Sequence, residues 1–80
     1  MRARILIMLK PSILDPQGQA IGHALGALGF DGIDSVRQGK VIDLELSDTN
    51  ANAAEARIKA MCTTLLANAV IEDFSIEILD

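Results

Sequence analysis

Residues 10–18, Lys-Pro-Ser-Ile-Leu-Asp-Pro-Gln-Gly, separate a short apolar run from the first helical pattern of the chain. Pro11 has no N–H to give to a sheet, so it predicts the end of a strand. Asp15 can accept backbone N–H groups at the start of a helix, and Pro16 falls at the first helical position, where its missing N–H is not needed. The stretch therefore predicts a strand-to-helix joint, and it contains no catalytic constellation of side chains.

The composition indicates one small domain, residues 1–80, in which half of the residues are hydrophobic. A chain of this length buries only about 60–65% of its unfolded surface, so its core is marginal. Cys62 is the single cysteine, so a disulfide within the chain cannot support the fold. Oligomerisation is the remaining common support for so short a chain, and the apolar excess leads us to expect a subunit interface.

The sequence shows no pattern for secretion or membrane insertion. The apolar run Ile5–Leu9 has five residues, whereas the core of a signal peptide needs about 7–15. No stretch approaches the roughly 20 apolar residues of a membrane span. A lone cysteine is also compatible with a reducing compartment. We therefore expect a cytoplasmic protein with no membrane partner.

The formal net charge of −4 is unevenly placed along the chain. Residues 1–40 contain five basic and three acidic side chains, whereas residues 41–80 contain two basic and eight acidic ones. A net acidic chain argues against nucleic acid as the main partner. Phe30 and Phe74 are also too few and too far apart in sequence to form a stacking platform for RNA bases.

The hydrophobic periodicity predicts six elements in the order β-α-β-β-α-β, at residues 2–10, 15–28, 33–38, 40–47, 52–67 and 72–79. Two right-handed split βαβ units predict an α+β, ferredoxin-like fold with an antiparallel sheet and both helices on one face. We expect the first strand at the centre of the sheet, because both of its faces carry apolar side chains. The other sheet face would then be mixed, with Leu6 and Met8 among charged side chains.

Each predicted helix has an apolar face that we expect to be buried. In the first helix this face contains Ile21, Ala24, Leu25 and Leu28, and in the second it contains Ala54, Ile58, Met61, Cys62 and Leu65. Gly29 suits the left-handed position that ends the first helix. Glycines at 18, 22 and 26 predict close packing of the first helix, and Asn52 with Glu55 predicts a cap for the second.

Gln38-Gly39 lies between two alternating runs and predicts a hairpin turn. Arg37 and Lys40 would then flank the tip. Two cations there could bind an acidic partner or a phosphate, or they could simply be solvated.

The sequence offers no catalytic constellation or metal site. His23 is the single histidine and flanks the apolar face of the first helix, whereas Cys62 is expected in the core. No histidines or cysteines share the spacing of metal ligands. Gly29-Phe30-Asp31-Gly32 lacks the Lys-Ser/Thr of a phosphate loop and is typical of a turn. The residues alone therefore predict a small, acidic, oligomeric α+β domain without its own active site.

Several segments together resemble the PurS family, the small subunit of phosphoribosylformylglycinamidine (FGAM) synthase. They are Lys10-Pro11, Ile13–Gly18, Ala24-Leu25, Leu28-Gly29, Val36–Lys40 with Ile42–Leu44, Leu65–Asn68, Val70–Phe74 and Ile76–Ile78. The resemblance covers nearly the whole chain, and the Leu-Asp-Pro-Gln-Gly run is its most specific part. It implies a PurS-like fold, related to ferredoxin-like domains.

The resemblance also implies a function. The synthase uses ATP and glutamine to convert formylglycinamide ribonucleotide (FGAR) to FGAM, the fourth step of de novo purine synthesis. A PurQ glutaminase subunit makes ammonia, and a PurL synthetase subunit binds substrate, ATP and magnesium. PurS itself would be non-catalytic and hold no cofactor. It would form a homodimer or homotetramer, bridge PurL and PurQ, and help ammonia pass between them.

Our hypothesis is that the joint and the predicted hairpin tip contact these partners, through Asp15, Gln17, Gly18, Arg37 and Lys40. Gln17 is of special interest because it has no clear structural role. The main alternative is an ACT-type regulatory domain, which has the same element order, dimerises and binds a small ligand. An RNA-binding domain is disfavoured by the charge and the few aromatics, and a stand-alone enzyme by the missing catalytic groups.

Overall fold

A computed structural model describes residues 1–79. Its elements are β1 (Arg2–Leu9), α1 (Pro16–Ala27), β2 (Gly39–Glu45), α2 (Ala51–Met61) and β3 (Glu72–Ile78), with a short π-helix (Cys62–Leu66) continuing α2. The sheet has the order β2-β1-β3, and both pairings are antiparallel. The α+β class, the antiparallel sheet with two helices and the central position of the first strand are confirmed.

The core lies between one face of the sheet and α2. Ala3, Ile5 and Ile7 alternate along β1 and are fully buried, as are Ile58 and Cys62 of the helical layer. Burying a side chain such as isoleucine stabilises a fold by roughly 1.5–3 kcal/mol, so these few positions carry much of the stability. The opposite sheet face is mixed as predicted, with Leu6 exposed and an Arg4–Asp43 ion pair of 2.8 Å.

The second helix differs from the prediction at both ends. Asn50, rather than Asn52, caps α2, since its side chain accepts the N–H of Ala53 at 3.1 Å. At the other end the N–H of Ala67 donates to the carbonyl of Cys62 at 2.9 Å, which is the longer i→i+5 bond of a π-helix. This wider turn shifts the helical register. Leu65, predicted to be buried, is therefore 81% exposed, and Leu66 packs against the core instead.

The predicted hairpin between 33–38 and 40–47 is also wrong. Within residues 1–79 no strand forms at 33–38, and no turn separates that segment from β2. Gly39 does not adopt a positive φ. Its role is close approach, because a Cβ there would lie 2.1 Å from Met8 Sδ and 2.7 Å from the carbonyl oxygen of Ile7. The glycine that indicated a turn is instead a contact point between β2 and β1.

Helix α1 has the predicted ends but not the predicted surroundings. Asp15 caps it, Pro16 opens it, and Gly29 follows it with a φ of 93°. Among the described residues, however, α1 makes no substantial packing contact with the sheet or with α2. The radius of gyration is 16.0 Å, whereas a compact chain of this length would have about 12 Å. We call residues 15–38, which comprise α1 and the extended segment before β2, the arm.

Candidate partner-contact site

Asp15 is the centre of the joint between β1 and the arm. One carboxylate oxygen accepts the N–H of Gly18 at 2.9 Å, and the other accepts the N–H of Gln38 at 2.6 Å. Only 4% of the residue is exposed. These two bonds, that to Gln38 first, hold the pKa of the Asp15 carboxyl below its ordinary value. The carboxylate thus caps α1 and also ties the far end of the arm back to its start.

Gly18 makes the closest backbone approach at the joint. A Cβ at this position would lie 2.3 Å from the carbonyl oxygen of Val36 and 2.8 Å from Asp15 Oδ2. The first neighbour is a backbone atom and the second is held by the N–H of Gln38, so neither can move aside at low cost and glycine is required. The prediction of close packing at the helical glycines is confirmed for Gly18. The neighbour is the arm's own extended segment, and Gly26 has open space around it.

Arg37 is not at a hairpin tip. Its guanidinium donates to the carbonyl oxygens of Lys10 at 2.9 Å, Ile13 at 3.0 Å and Leu9 at 3.4 Å. These three carbonyls lie at the end of β1 and in the residues that follow it. The guanidinium therefore fixes the backbone where the chain leaves the sheet. The guanidinium carries five N–H donors in a fixed planar fork, so this one side chain can donate to several carbonyls at once.

Gln17 and Lys40 are the remaining two residues predicted to contact a partner. The side chain of Gln38 donates to Gln17 Oε1 at 2.7 Å, which gives Gln17 a structural partner. Lys40 Nζ lies 3.2 Å from Glu72, and Glu72 also accepts the N–H of Asn68 at 2.7 Å. The bond from Asn68, and then Lys40, lower the pKa of the Glu72 carboxyl. All five predicted residues therefore lie around one joint, and their contact with a partner stays a prediction.

Two clefts flank this joint. One of about 230 Å³ is lined by polar groups of Gln17, Gln38, Lys40 and Glu72 above the buried Ile7. The other, of about 540 Å³, lies between α1 and the extended segment. The part of Gln38 and Glu72 in this arrangement was missed from the sequence. Their bonds to Asp15, Gln17 and Lys40 join residues far apart in the chain, and the resemblance of their segments to a family does not indicate these partners.

The remaining reactive side chains have structural surroundings. Cys62 is fully buried, as predicted, and burial raises the pKa of its thiol. His23 is exposed on α1. Within residues 1–79 no group of three or more His, Cys, Asp or Glu side chains is arranged to hold a metal ion. Neither helix in this part of the chain has the length and apolar character needed to cross a membrane.

Known proteins match both the sequence and the shape of the chain. The family described as "PurS: Phosphoribosylformylglycinamidine (FGAM) synthase" matches residues 2–80. The chain is 51% identical over 75 residues to the phosphoribosylformylglycinamidine synthase subunit PurS of Mycobacterium leprae, covering 94% of this chain and 91% of that one.

Two solved structures extend the comparison to the fold. PurS of Methanocaldococcus jannaschii, one of the subunits of formylglycinamide ribonucleotide amidotransferase, superposes with a TM-score of 0.86 at 37% identity, over 95% of this chain and 92% of that one. A chain of the Thermotoga maritima PurLQS structure also gives 0.86, at 28% identity, over 95% and 93%. Sequence and fold agree over almost the entire length, and the chain belongs to the PurS family of FGAM synthase subunits.

Proposed function

We propose that this chain is the non-catalytic small subunit that bridges a PurQ glutaminase and a PurL synthetase within FGAM synthase, a ligase complex of purine biosynthesis. The observation that carries the proposal is the match, over 95% of the chain, to a chain of the PurLQS structure of Thermotoga maritima. The chemistry of the site supports it. The pKa values of the Asp15, Asp43 and Glu72 carboxyls are lowered, and in each case the cause is hydrogen bonds to groups of the chain itself.

A bridging subunit of this kind acts by complementarity. It fixes the distance between the subunit that releases ammonia and the subunit that consumes it, and it excludes water from the contact. Ammonia that stays in the assembly is neither diluted nor protonated in bulk solvent. In this scheme ATP and magnesium are used by the synthetase in the cytoplasm, and this chain binds neither. The matches described above give no support to the ACT-type alternative.

Reconstitution from purified subunits tests the bridge. Omitting this chain from a mixture with PurL and PurQ should lower glutamine-dependent FGAM formation at least tenfold, by a rough estimate, because the two large subunits lose their high effective concentration. With ammonium chloride as the nitrogen source, the rate should change by less than about twofold, since PurL alone performs the synthetase step. An equal loss with both nitrogen sources would show that the chain acts on the synthetase chemistry rather than on transfer.

The contact hypothesis needs variants that leave the joint intact. Asp15, Gly18 and Arg37 hold the joint, so Gln17 and Lys40, both exposed, are the informative positions. Gln17→Ala combined with Lys40→Glu should weaken binding to the large subunits about tenfold, because a rim charge is reversed. Only the lysine side of the Lys40–Glu72 pair is exposed, since the Glu72 side chain is 12% accessible, so circular dichroism of the double variant establishes that it is folded before binding is measured. Lys59→Glu on α2 is the control, and equal affinity of the two variants would refute the contact.

A further inference from the structure

The smaller of the two clefts at the joint has two opposite charges side by side above an apolar floor. Ile7 and Leu9 of β1 form the floor. Lys40 of β2 lies opposite Ile7, and Glu72 of β3 lies opposite Leu9, so all four side chains are on the same face of the sheet. Lys40 Nζ and Glu72 Oε2 meet across the central strand at 3.2 Å. The cleft therefore presents a cation and an anion at adjacent points.

The two charged groups do not saturate each other. An ammonium group has three N–H donors, and Glu72 is the one partner of Lys40 within residues 1–79. Glu72 accepts the N–H of Asn68 with Oε1 and faces Lys40 with Oε2, whereas a carboxylate offers about four lone-pair sites. The bond from Asn68, and then Lys40, hold the pKa of the Glu72 carboxyl below its ordinary value, so this group is ionised at neutral pH. Spare donors and spare acceptors thus line the same cleft.

Two glutamine amides form another wall of this cleft. Gln38 donates its side-chain N–H to Gln17 Oε1 at 2.7 Å, and this bond leaves the NH₂ of Gln17 and the side-chain oxygen of Gln38. Neither of these groups has a partner within residues 1–79. The backbone N–H of Gln38 donates to Asp15 at 2.6 Å, which fixes the position from which this side chain extends. The bonded pair thus offers one donor and one acceptor, which is the set that a primary amide requires.

The size and the charges of the cleft favour a small ligand that carries both charges itself. Sites for drug-sized ligands have about 300–1,000 Å³, whereas this cleft has about 230 Å³. We propose that it binds a free α-amino acid with a primary amide in its side chain, glutamine or asparagine.

Each polar group of such a ligand has a counterpart in the cleft. The α-carboxylate binds Lys40, the α-ammonium binds Glu72, and the side-chain amide binds Gln17 and Gln38. A glutamine or asparagine within a protein partner would fill the amide wall only, because its backbone carries neither charge. The inference goes beyond the proposed function, since the chain binds this ligand without a large subunit.

A series of ligands tests the contacts one at a time. The isolated, isotope-labelled chain is titrated with L-glutamine and with L-asparagine, and the side-chain amide NMR signals of Gln17 and Gln38 report binding. At least one of the two ligands should bind saturably and shift both signals. The matching acid, L-glutamate or L-aspartate, should bind about tenfold more weakly, because a carboxylate cannot donate to the Gln38 oxygen. The N-acetylated amide should also lose about tenfold, because its charge facing Glu72 is removed. Saturation by neither amide, or equal affinity for amide and acid, would overturn the proposal.

A matched pair of substitutions tests the amide wall. Gln38→Met keeps the length of the side chain and the backbone N–H that Asp15 accepts, but it removes the amide. It should lower the affinity for the preferred amide ligand about tenfold and abolish the preference for amide over acid. Gln19→Met is the control, since Gln19 is exposed on α1 and does not line the cleft. Circular dichroism establishes that both variants are folded, and equal affinities of the two for the amide ligand would overturn the proposal.

The outcomes separate this inference from the proposed function. A chain that restores glutamine-dependent FGAM formation with PurL and PurQ, but by itself binds neither amide ligand, contradicts the amino-acid site and leaves the bridge untouched. A chain that binds the amide ligand with the expected selectivity, but does not support reconstitution, confirms the site and contradicts the bridge.

Discussion

Replacing Gly18 by alanine should lower the free energy of unfolding by about 3 kcal/mol, the upper range for inserting a methyl group where there is no room. The new Cβ would lie 2.3 Å from a backbone oxygen of residue 36 and 2.8 Å from Asp15 Oδ2. Either the extended segment moves away or the cap of α1 breaks. For so small a domain this is a large share of the total stability. Urea unfolding at fixed protein concentration measures the loss, and hydrogen exchange should localise it to the arm.

The control is the same substitution, glycine to alanine, at Gly26 of the same helix. Gly26 has no atom within 4 Å of an added Cβ and is not part of the apolar face predicted for α1, so Gly26→Ala should raise the free energy of unfolding. The expected gain is about 0.5–1 kcal/mol, since alanine is the better helix former. Two identical substitutions in one helix should thus act in opposite directions. A stabilising Gly18→Ala would show that the contact with residue 36 is not part of the folded protein.

Replacing Asp15 by asparagine should lower the melting temperature at pH 7 by about 8 °C, from the usual cost of losing one hydrogen bond to a charged group and the size of the domain. The carboxylate accepts two N–H groups, whereas an amide has one oxygen and would turn its NH₂ toward one of them. The pKa of Asp15 is lowered from 3.8 in the folded chain. Its stabilisation is therefore complete above pH 3.8 and is lost as the pH falls through the lower folded value.

The pH profile distinguishes this role from a general loss of packing. The gap in melting temperature between wild type and Asp15→Asn should be constant near neutral pH and shrink below about pH 4. Asp43→Asn is the control, because Asp43 is half of an exposed ion pair with Arg4. Its effect at pH 7 should stay within about 3 °C. A gap for Asp15→Asn that does not change down to about pH 3 would contradict the assignment of the two bonds to the ionised carboxylate.

Local signals in the sequence were sufficient for much of the fold. Asp15, Pro16 and Gly29 mark the ends of α1 through backbone chemistry that does not depend on distant residues. The alternation in β1 and β3 placed the buried faces correctly, since the period of a strand is fixed by its geometry. The family resemblance then gave the function, which periodicity and composition alone did not reach.

The errors have physical causes that lie outside local sequence. The π-turn after α2 is a single added residue in a helical turn, and no residue type marks it, so Leu65 and Leu66 were misplaced. Gly39 was interpreted as a turn, but the backbone oxygen that requires a glycine there belongs to Ile7, which is far away in sequence. The contacts of the joint could not be predicted from the sequence either, because Arg37 and Gln38 form hydrogen bonds with groups more than twenty residues earlier in the chain.

The order of strands in the sheet has a consequence for how this chain folds during synthesis. The first strand made, β1, is the central one, and its two neighbours are completed much later: Ala3 pairs with Leu44 and with Ile78. Contacts between such distant positions slow folding, because long loops must close before any sheet contact forms. During synthesis the apolar side chains of β1 therefore stay uncovered until β2 and β3 have left the ribosome. The sheet therefore cannot be completed before β3 has left the ribosome, and a pause in translation before β3 would prolong the aggregation-prone state.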